Sequence, residues 1–250
     1  MLKNQRQQEI INLLKQSEGV VSVKELCNKL YTSESSIRRD LSFLAKSGFI
    51  SKTYGGAELV KHSANVISFP KRFHHNADEK KAIAKKAKTL IKDRNIIFLD
   101  QSSTSYYLAQ EIINNSTLTV ITNNVEILSL LSTSPMKVIA SGGMLSRDNR
   151  NCLYGSDAQY IFENTYADMV FFSTRSLSDD GVISDCAREE ILIRNVMLKN
   201  AEKKVFLCDS EKFGTRSPYK QTTLNDIDIF ISESDSANKY LSEYPSLKIM

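Results

Sequence analysis

Two sets of side chains in this 250-residue chain are spaced for chemistry. The first is the run Ser33 to Ala45, S-E-S-S-I-R-R-D-L-S-F-L-A, in which Arg38 and Arg39 follow the hydroxyls of Ser33, Ser35 and Ser36. Guanidinium and hydroxyl donors grouped this way suit the phosphates and base edges of duplex DNA. Ser22, Lys52, Tyr54, Gly55 and Gly56 flank the run and complete the expected DNA-binding set. Asp40 is expected to be structural, orienting an arginine. The second set is dispersed: Asp100-Gln101-Ser102-Ser103-Thr104-Ser105, Asn123-Asn124, Gly142-Gly143, Thr174-Arg175 and Asp209-Ser210-Glu211-Lys212, each after a short apolar run. Hydroxyls opening a helix favour an anion, because free N–H groups and the helix dipole point at it. A glycine pair permits close backbone approach, and Lys212 adds a point charge. Asp100, Asp209 and Lys212 do not form an acid-base constellation in which a base and an acid can be named.

The elements that must position the first set are three helices and a wing. Residues 4 to 16 are good helix formers with Ile10, Ile11 and Leu14 as a partial stripe. Ser22-Val23-Lys24-Glu25 reads as a capping box opening a second helix with Leu26 and Leu30 inward. Only Tyr31, Thr32 and Ser33 separate it from the helix of Ile37, Leu41 and Leu44, which is helix-turn-helix spacing. Phe49 to Ala57, ending in two glycines, reads as a small β-hairpin placing Lys52 and Tyr54 against a phosphate backbone.

His62 to Asp78 lacks apolar periodicity and contains Pro70, so it reads as a linker, and Asp78 to Lys92 returns to helix. Beyond it, strand patterns at Ile96–Asp100, Leu118–Thr122, Met136–Ala140, Met169–Ser173, Val205–Asp209 and Ile227–Ser232 alternate with helical stretches. The helices are expected at Ser105–Asn114, Val125–Leu131, Asp157–Phe162 and Arg188–Ala201. Alternation of this kind predicts a mostly parallel sheet with helices on both faces, whose ligands bind beyond the C-terminal strand ends. The expected division is 1–60 for DNA binding, 61–77 as linker and 78–250 as an α/β sensing domain.

Composition narrows the function classes. With 41% apolar and 25% charged residues the chain is of ordinary globular type, and no apolar run is long enough to cross a bilayer. The polar Met1 to Glu9 is not an ordinary signal peptide. Cys27, Cys152, Cys186 and Cys208 lack C-x-x-C pairing, which predicts reduced thiols in a cytoplasmic protein, and His62, His74 and His75 have no acidic or cysteine cluster beside them for a metal. The net charge of +4 divides unevenly: +3 over residues 1–60, +7 over 61–92 and −6 over the remainder. A basic front suggests a polyanionic partner, with solvated lysines accounting for part of the middle block.

Arg6, Glu25-Leu26, the S-E-S-S-I-R-R-D-L run and Tyr54-Gly55-Gly56-Ala57 resemble the N-terminal domain of the DeoR family of bacterial transcription regulators. D-Q-S-S-T-S at Asp100–Ser105, Gly142-Gly143 and D-S-E-K-F-G at Asp209–Gly214 resemble that family's C-terminal sensor domain, with Ser102 where a loop glycine is usual and Arg194 where a lysine is usual. The resemblance implies a small, mainly α winged helix-turn-helix domain followed by an α/β, Rossmann-like domain similar in fold to ribose-5-phosphate isomerase. It implies a transcription regulator, expected to repress a sugar-metabolism operon, with an activator that uses the same residues left open by the sequence. The expected partners are operator DNA, a phosphorylated sugar effector and copies of the chain itself in a dimer or tetramer, with no cofactor, metal or membrane. The effector set is then Asp100, Ser102, Ser103, Thr104, Ser105, Asn123, Gly142, Gly143, Arg194, Asp209 and Lys212. The alternative from another class is a sugar-phosphate isomerase or deaminase with an appended DNA-binding domain.

Overall fold

The computed structural model describes residues 3–17, 20–46, 50–53, 55–59, 69–147, 149 and 151–250. The chain divides into two compact units, Met1–Ser63 and Ala64–Met250.

In the first unit the apolar stripes of α1 (Lys3–Gln16), α2 (Val23–Leu30) and α3 (Glu34–Lys46) close on one another. Ile10, Leu14, Leu26, Ile37, Leu41 and Leu44 are at most 2% exposed, so the helical spacing read in the sequence becomes a shared core. Each such side chain contributes about 2 kcal/mol through burial. The wing is larger than a hairpin. β1 (Val21–Ser22) pairs with β3 (Gly56–Leu59), which pairs with β2 (Ile50–Thr53), all antiparallel. Gly56 is fixed by this packing, since a Cβ there would lie 2.5 Å from the Val21 carbonyl oxygen. The expected capping box is half formed: Ser22 Oγ accepts the Glu25 N–H at 3.1 Å, while the Glu25 carboxylate pairs with Lys29.

The second unit opens with α4 (Phe69–His74) and α5 (Ala77–Lys88). A helix therefore stands inside the stretch expected as a linker, built on Phe69, which meets Tyr106 edge-on, and Phe73, whose ring stacks on Tyr107. Residues 61–68 of that stretch lie outside the described residues. Then follow β4 (Ile96–Leu99), α6 (Ser103–Ile112), β5 (Thr119–Thr122), α7 (Val125–Leu131), β6 (Lys137–Ala140), β7 (Met144–Leu145), β8 (Leu153–Tyr154), α8 (Ser156–Glu163), β9 (Ala167–Phe172), β10 (Ser176–Leu177), β11 (Val182–Asp185), α9 (Arg188–Lys199), β12 (Ala201–Leu207), β13 (Tyr219–Thr223), β14 (Ile229–Ile231) and β15 (Lys248–Ile249).

Seven of these strands make one parallel sheet in the order β15-β14-β12-β9-β4-β5-β6. Successive side chains of a strand point to opposite faces, and each face has its own core. Phe98, Val170, Phe172 and Phe206 pack with Ala158, Phe162, Ile193 and Met197 of α8 and α9. Ile97, Leu99, Phe171 and Leu207 pack with Ile83, Leu108 and Ile127 of α5, α6 and α7. A small antiparallel sheet, β10-β11-β13, and the β7–β8 hairpin were not legible as strands in the sequence. Their runs of two to five residues give no measurable alternation.

Candidate functional site

On the first unit, α3 turns its stripe inward and leaves Ser35, Arg38 and Arg39 exposed. Ser33 precedes the helix, and its carbonyl accepts the N–H groups of Ser36 and Ile37. Its hydroxyl lies within hydrogen-bond distance of Ser35 Oγ at 3.2 Å and Ser36 Oγ at 3.0 Å. Arg38 folds back on Glu34 one turn earlier, Nη2 to Oε1 2.6 Å, and Arg39 Nε donates to the Ser35 carbonyl. Lys52 of β2 reaches across to α3 and donates to Ser42 Oγ at 2.6 Å, which ties the wing to the helix face. Asp40 is 2% exposed and accepts from Arg6 Nε at 2.6 Å and Gln7 Nε2 at 2.9 Å. The arginine it orients is Arg6. Gly55 is at φ +86 in the turn before β3, and Tyr54 lies outside the described residues.

In the second unit the parallel sheet brings the ends of β12, β9, β4 and β5 side by side, so Asp209, Ser173, Asp100 and Asn123 line one edge. Asp100 is fully buried, and its carboxylate is a hub. Oδ1 accepts from the Ser102 N–H at 3.1 Å and Ser105 Oγ at 2.7 Å, and Oδ2 from the Ser173 N–H at 3.2 Å and Arg194 Nε at 3.2 Å. Ser102, at φ −74, is the N-cap of α6, its oxygen accepting the Ser105 N–H. The turn therefore needs no glycine here. Ser103 and Thr104 occupy the first turn of α6, both buried.

Arg194 of α9 is 1% exposed. It meets Asp100, Asp185 and Glu190 and donates from Nη1 to Gln221 Oε1 at 2.8 Å. Its place in the site is thus behind Asp100, joining β4 to β11 and β13. Burial pushes the Asp185 carboxyl up, against the pull of Arg194. Asn123 donates to the Leu153 carbonyl at 3.1 Å, and its Oδ1 is buried without a partner.

Lys212 pairs with Asp209 at 2.9 Å and donates to Ser173 Oγ at 2.9 Å. Burial alone would raise Asp209, but Lys212 and the Asn76 amide overcome it and hold the carboxyl at about 2. Gly142 and Gly143 follow β6 at φ +74 and +93, exposed at the same sheet edge. What approaches Gly143 is the chain itself, since a Cβ would stand 2.6 Å from Ala158 Cβ and from the Tyr154 oxygen. Thr174 is buried and Arg175 exposed.

Several residues at this edge carry little sequence signal. Arg72 of α4 donates to Asn149 Oδ1 at 3.1 Å and Asn151 Oδ1 at 3.5 Å. Asn76 donates to Asp209 at 3.0 Å and Glu211 at 2.6 Å, and His75 also pairs with Glu211. Gln101 and Asn149 both donate to Glu190. Lys80 is 4% exposed on the buried stripe of α5. Its spacing with Ile83 and Ala87 was a usable signal, masked by the surrounding lysines. Among the described residues, no group of three or more His, Cys, Asp and Glu is placed to hold a metal, and no helix is long and apolar enough to cross a membrane.

Residues 6–63 match the family model of the DeoR-like helix-turn-helix domain, and residues 75–234 that of the DeoR C terminal sensor domain. Among curated proteins, the HTH-type transcriptional regulator GolR of Listeria innocua is 37% identical over 94% of this chain and 92% of its own length. The L-fucose operon activator of Haemophilus influenzae is 30% identical over 99% and 100%. The HTH-type transcriptional repressor GlcR of Bacillus subtilis is 29% identical over 93% and 89%. Of solved structures, ribose 5-phosphate isomerase A from Methanocaldococcus jannaschii is similar with a TM-score of 0.42 at 19% identity, over 55% of each chain.

Proposed function

The chain belongs to the DeoR family of helix-turn-helix transcriptional regulators, and from that premise we propose that it represses a sugar-metabolism operon until a phosphorylated sugar binds its second unit. The observation that carries the DNA half is α3, whose apolar stripe is fully buried while Arg38 and Arg39 remain exposed. In this reading one or both arginines enter the major groove, Ser33, Ser35 and Ser36 meet phosphates at the helix start, and Lys52 holds the wing to the adjacent backbone. Repression is supported by GlcR, named a repressor. A single unit of this size gives too little contact for useful selectivity, so the regulator acts as a dimer or tetramer in the cytoplasm.

The effector half rests on the polar edge where Asp100, Asn123, Asp209 and Lys212 meet the first turn of α6. Regulation rather than turnover suits this edge, because the Asp100 carboxylate is committed to Ser102, Ser105, Ser173 and Arg194 and is not free to move a proton. A DNA shift assay on the protein's own promoter region, repeated with a panel of sugar phosphates, tests the proposal. Binding that one sugar phosphate releases is the expected result. Steady turnover of a sugar phosphate, with no promoter binding, would overturn it.

A further inference from the structure

The two faces of the parallel sheet differ in what they show to solvent. On the face covered by α5, α6 and α7, no large apolar side chain of the described residues is exposed, and Lys81, Lys85 and Lys88 stand out from α5. On the other face, Tyr160 of α8 is 66% exposed and Leu192 of α9 is 47% exposed. Met144 and Leu145 of β7 are exposed as well, and their hairpin abuts the start of α8, where a Cβ on Gly155 would lie 3.4 Å from Met144 Cε. Because Ala158 and Phe162 share one core with Ile193 and Met197, the outer sides of α8 and α9 form a single surface. Each helix carries its own charge on that surface. Asp157 and Glu163 flank Tyr160 on α8, while Arg188 and Lys199 flank Leu192 on one stripe of α9. Among the described residues none of these four has an ion-pair partner. Glu189 is also exposed, so the α9 side is net +1 against −2 for α8. Each helix leads by a short loop into the next strand, α8 into β9 and α9 into β12, and those strands are parallel neighbours. The two helices therefore run side by side in the same direction.

We propose that this face joins two copies of the chain, with α8 of each lying on α9 of the other. The pairing rests on the dimer or tetramer expected above and adds which face and which helices make it. A twofold axis running along the groove between α8 and α9 sets α8 on the partner's α9 twice over. Acidic α8 then meets basic α9 in both halves, Asp157 towards the partner's Arg188 and Glu163 towards the partner's Lys199. Along the helices the two acids are about 9 Å apart and the two bases about 16 Å, a difference that long basic side chains close by leaning inward. Tyr160 and Leu192 come together inside this ring of charge, an apolar centre with a polar rim. An axis across the helices would instead set α8 on α8 and oppose like charges. A second copy is the fitting occupant because the two halves of one face complement each other, whereas the lysines of α5 would repel their own copies.

The test is sedimentation of the full chain over a range of concentrations, with the melting of each variant measured alongside. The unaltered chain should self-associate. Leu192→Glu should weaken association roughly tenfold or more, and Lys85→Glu, on the opposite face, should not. Glu163→Lys and Lys199→Glu each set like charges together twice in a dimer, and each should weaken association roughly tenfold. Mixed in equal amounts, these two variants form a dimer in which one half keeps the native pair and the other carries it reversed. The mixture should therefore associate as strongly as the unaltered chain, a rescue that misfolded variants could not give. A mixture no stronger than its components, or Leu192→Glu chains that associate normally, would overturn the face while leaving the reading of a paired regulator in place. An unaltered chain that stays monomeric, on and off operator DNA, overturns the face and the expected dimer together. If Leu192→Glu also lowers the melting temperature of that monomer, the face is covered by another part of the same chain.

Discussion

The Asp40 carboxylate holds the Nε–H of Arg6 at 2.6 Å across 34 residues of sequence, and so joins α3 to α1. Arg38 and Arg39, its neighbours in the chain, stay in solvent. Asp40→Ala would leave Arg6 and the Gln7 amide without their acceptor. We expect a loss of about 3 kcal/mol from the first unit, read as a lowered melting temperature. Operator affinity should fall only as far as folding does, and a variant that melts normally yet loses DNA would contradict the structural role.

Arg38→Ala or Arg39→Ala should cost about 1–3 kcal/mol in operator binding at physiological salt if that arginine reads a base. Lys52→Ala should weaken all duplexes alike and lower the slope of log affinity against log salt by about 1. Glu34→Gln frees Arg38 from its intrahelical partner and should strengthen binding to any sequence. Shift assays at three salt concentrations separate these cases.

Arg194→Lys keeps one charge but not the fork that serves Asp100, Asp185 and Gln221 together. A loss of about 2–3 kcal/mol in the second unit is expected by urea unfolding, with β11 and β13 exchanging amide hydrogens faster than β14.

Asp209 and Lys80 both make stability rise with pH, in different pH windows. The folded value of Asp209, about 2, lies below the ordinary aspartate value of 3.8, so its contribution is present above about pH 4 and lost as pH falls towards 2. The size is on the order of 2 kcal/mol. Lys80, at about 7 when folded against 10.5, binds fewer protons folded than unfolded between those values. Its contribution therefore makes the ligand-free chain more stable as pH rises from about 7 towards 10. Urea midpoints across pH 2 to 10 should show Asp209→Asn flattening the acid limb and Lys80→Gln the alkaline one.

Gly143→Ala should destabilise the second unit by roughly 1–3 kcal/mol, because φ is +93 and the new methyl would meet Ala158 and the Tyr154 oxygen at 2.6 Å. Gly142→Ala would place its Cβ 4.0 Å from the Asp157 oxygen, an ordinary contact, and bears only the φ +74 strain, so it should cost less by thermal melting.

The sequence by itself determined what local periodicity and turn chemistry can encode. Ile37, Leu41 and Leu44 specify the buried side of α3 and hence its exposed arginines. The apolar runs from Ile96 to Ile231 with helices between them specify a parallel sheet, and a parallel sheet gathers everything that follows its strands at one edge. Tertiary structure decided which of the gathered residues touch. Asp100 reads as one of the effector-facing polar residues after the first strand, yet its carboxylate is held by Arg194, 94 positions away. Lys80 reads as one lysine in a basic block, yet burial beside Arg72 and Lys212 leaves it a cation without a counter-charge. Pairing of charges and loss of solvent depend on residues far apart in sequence, so no spacing rule along the chain records them.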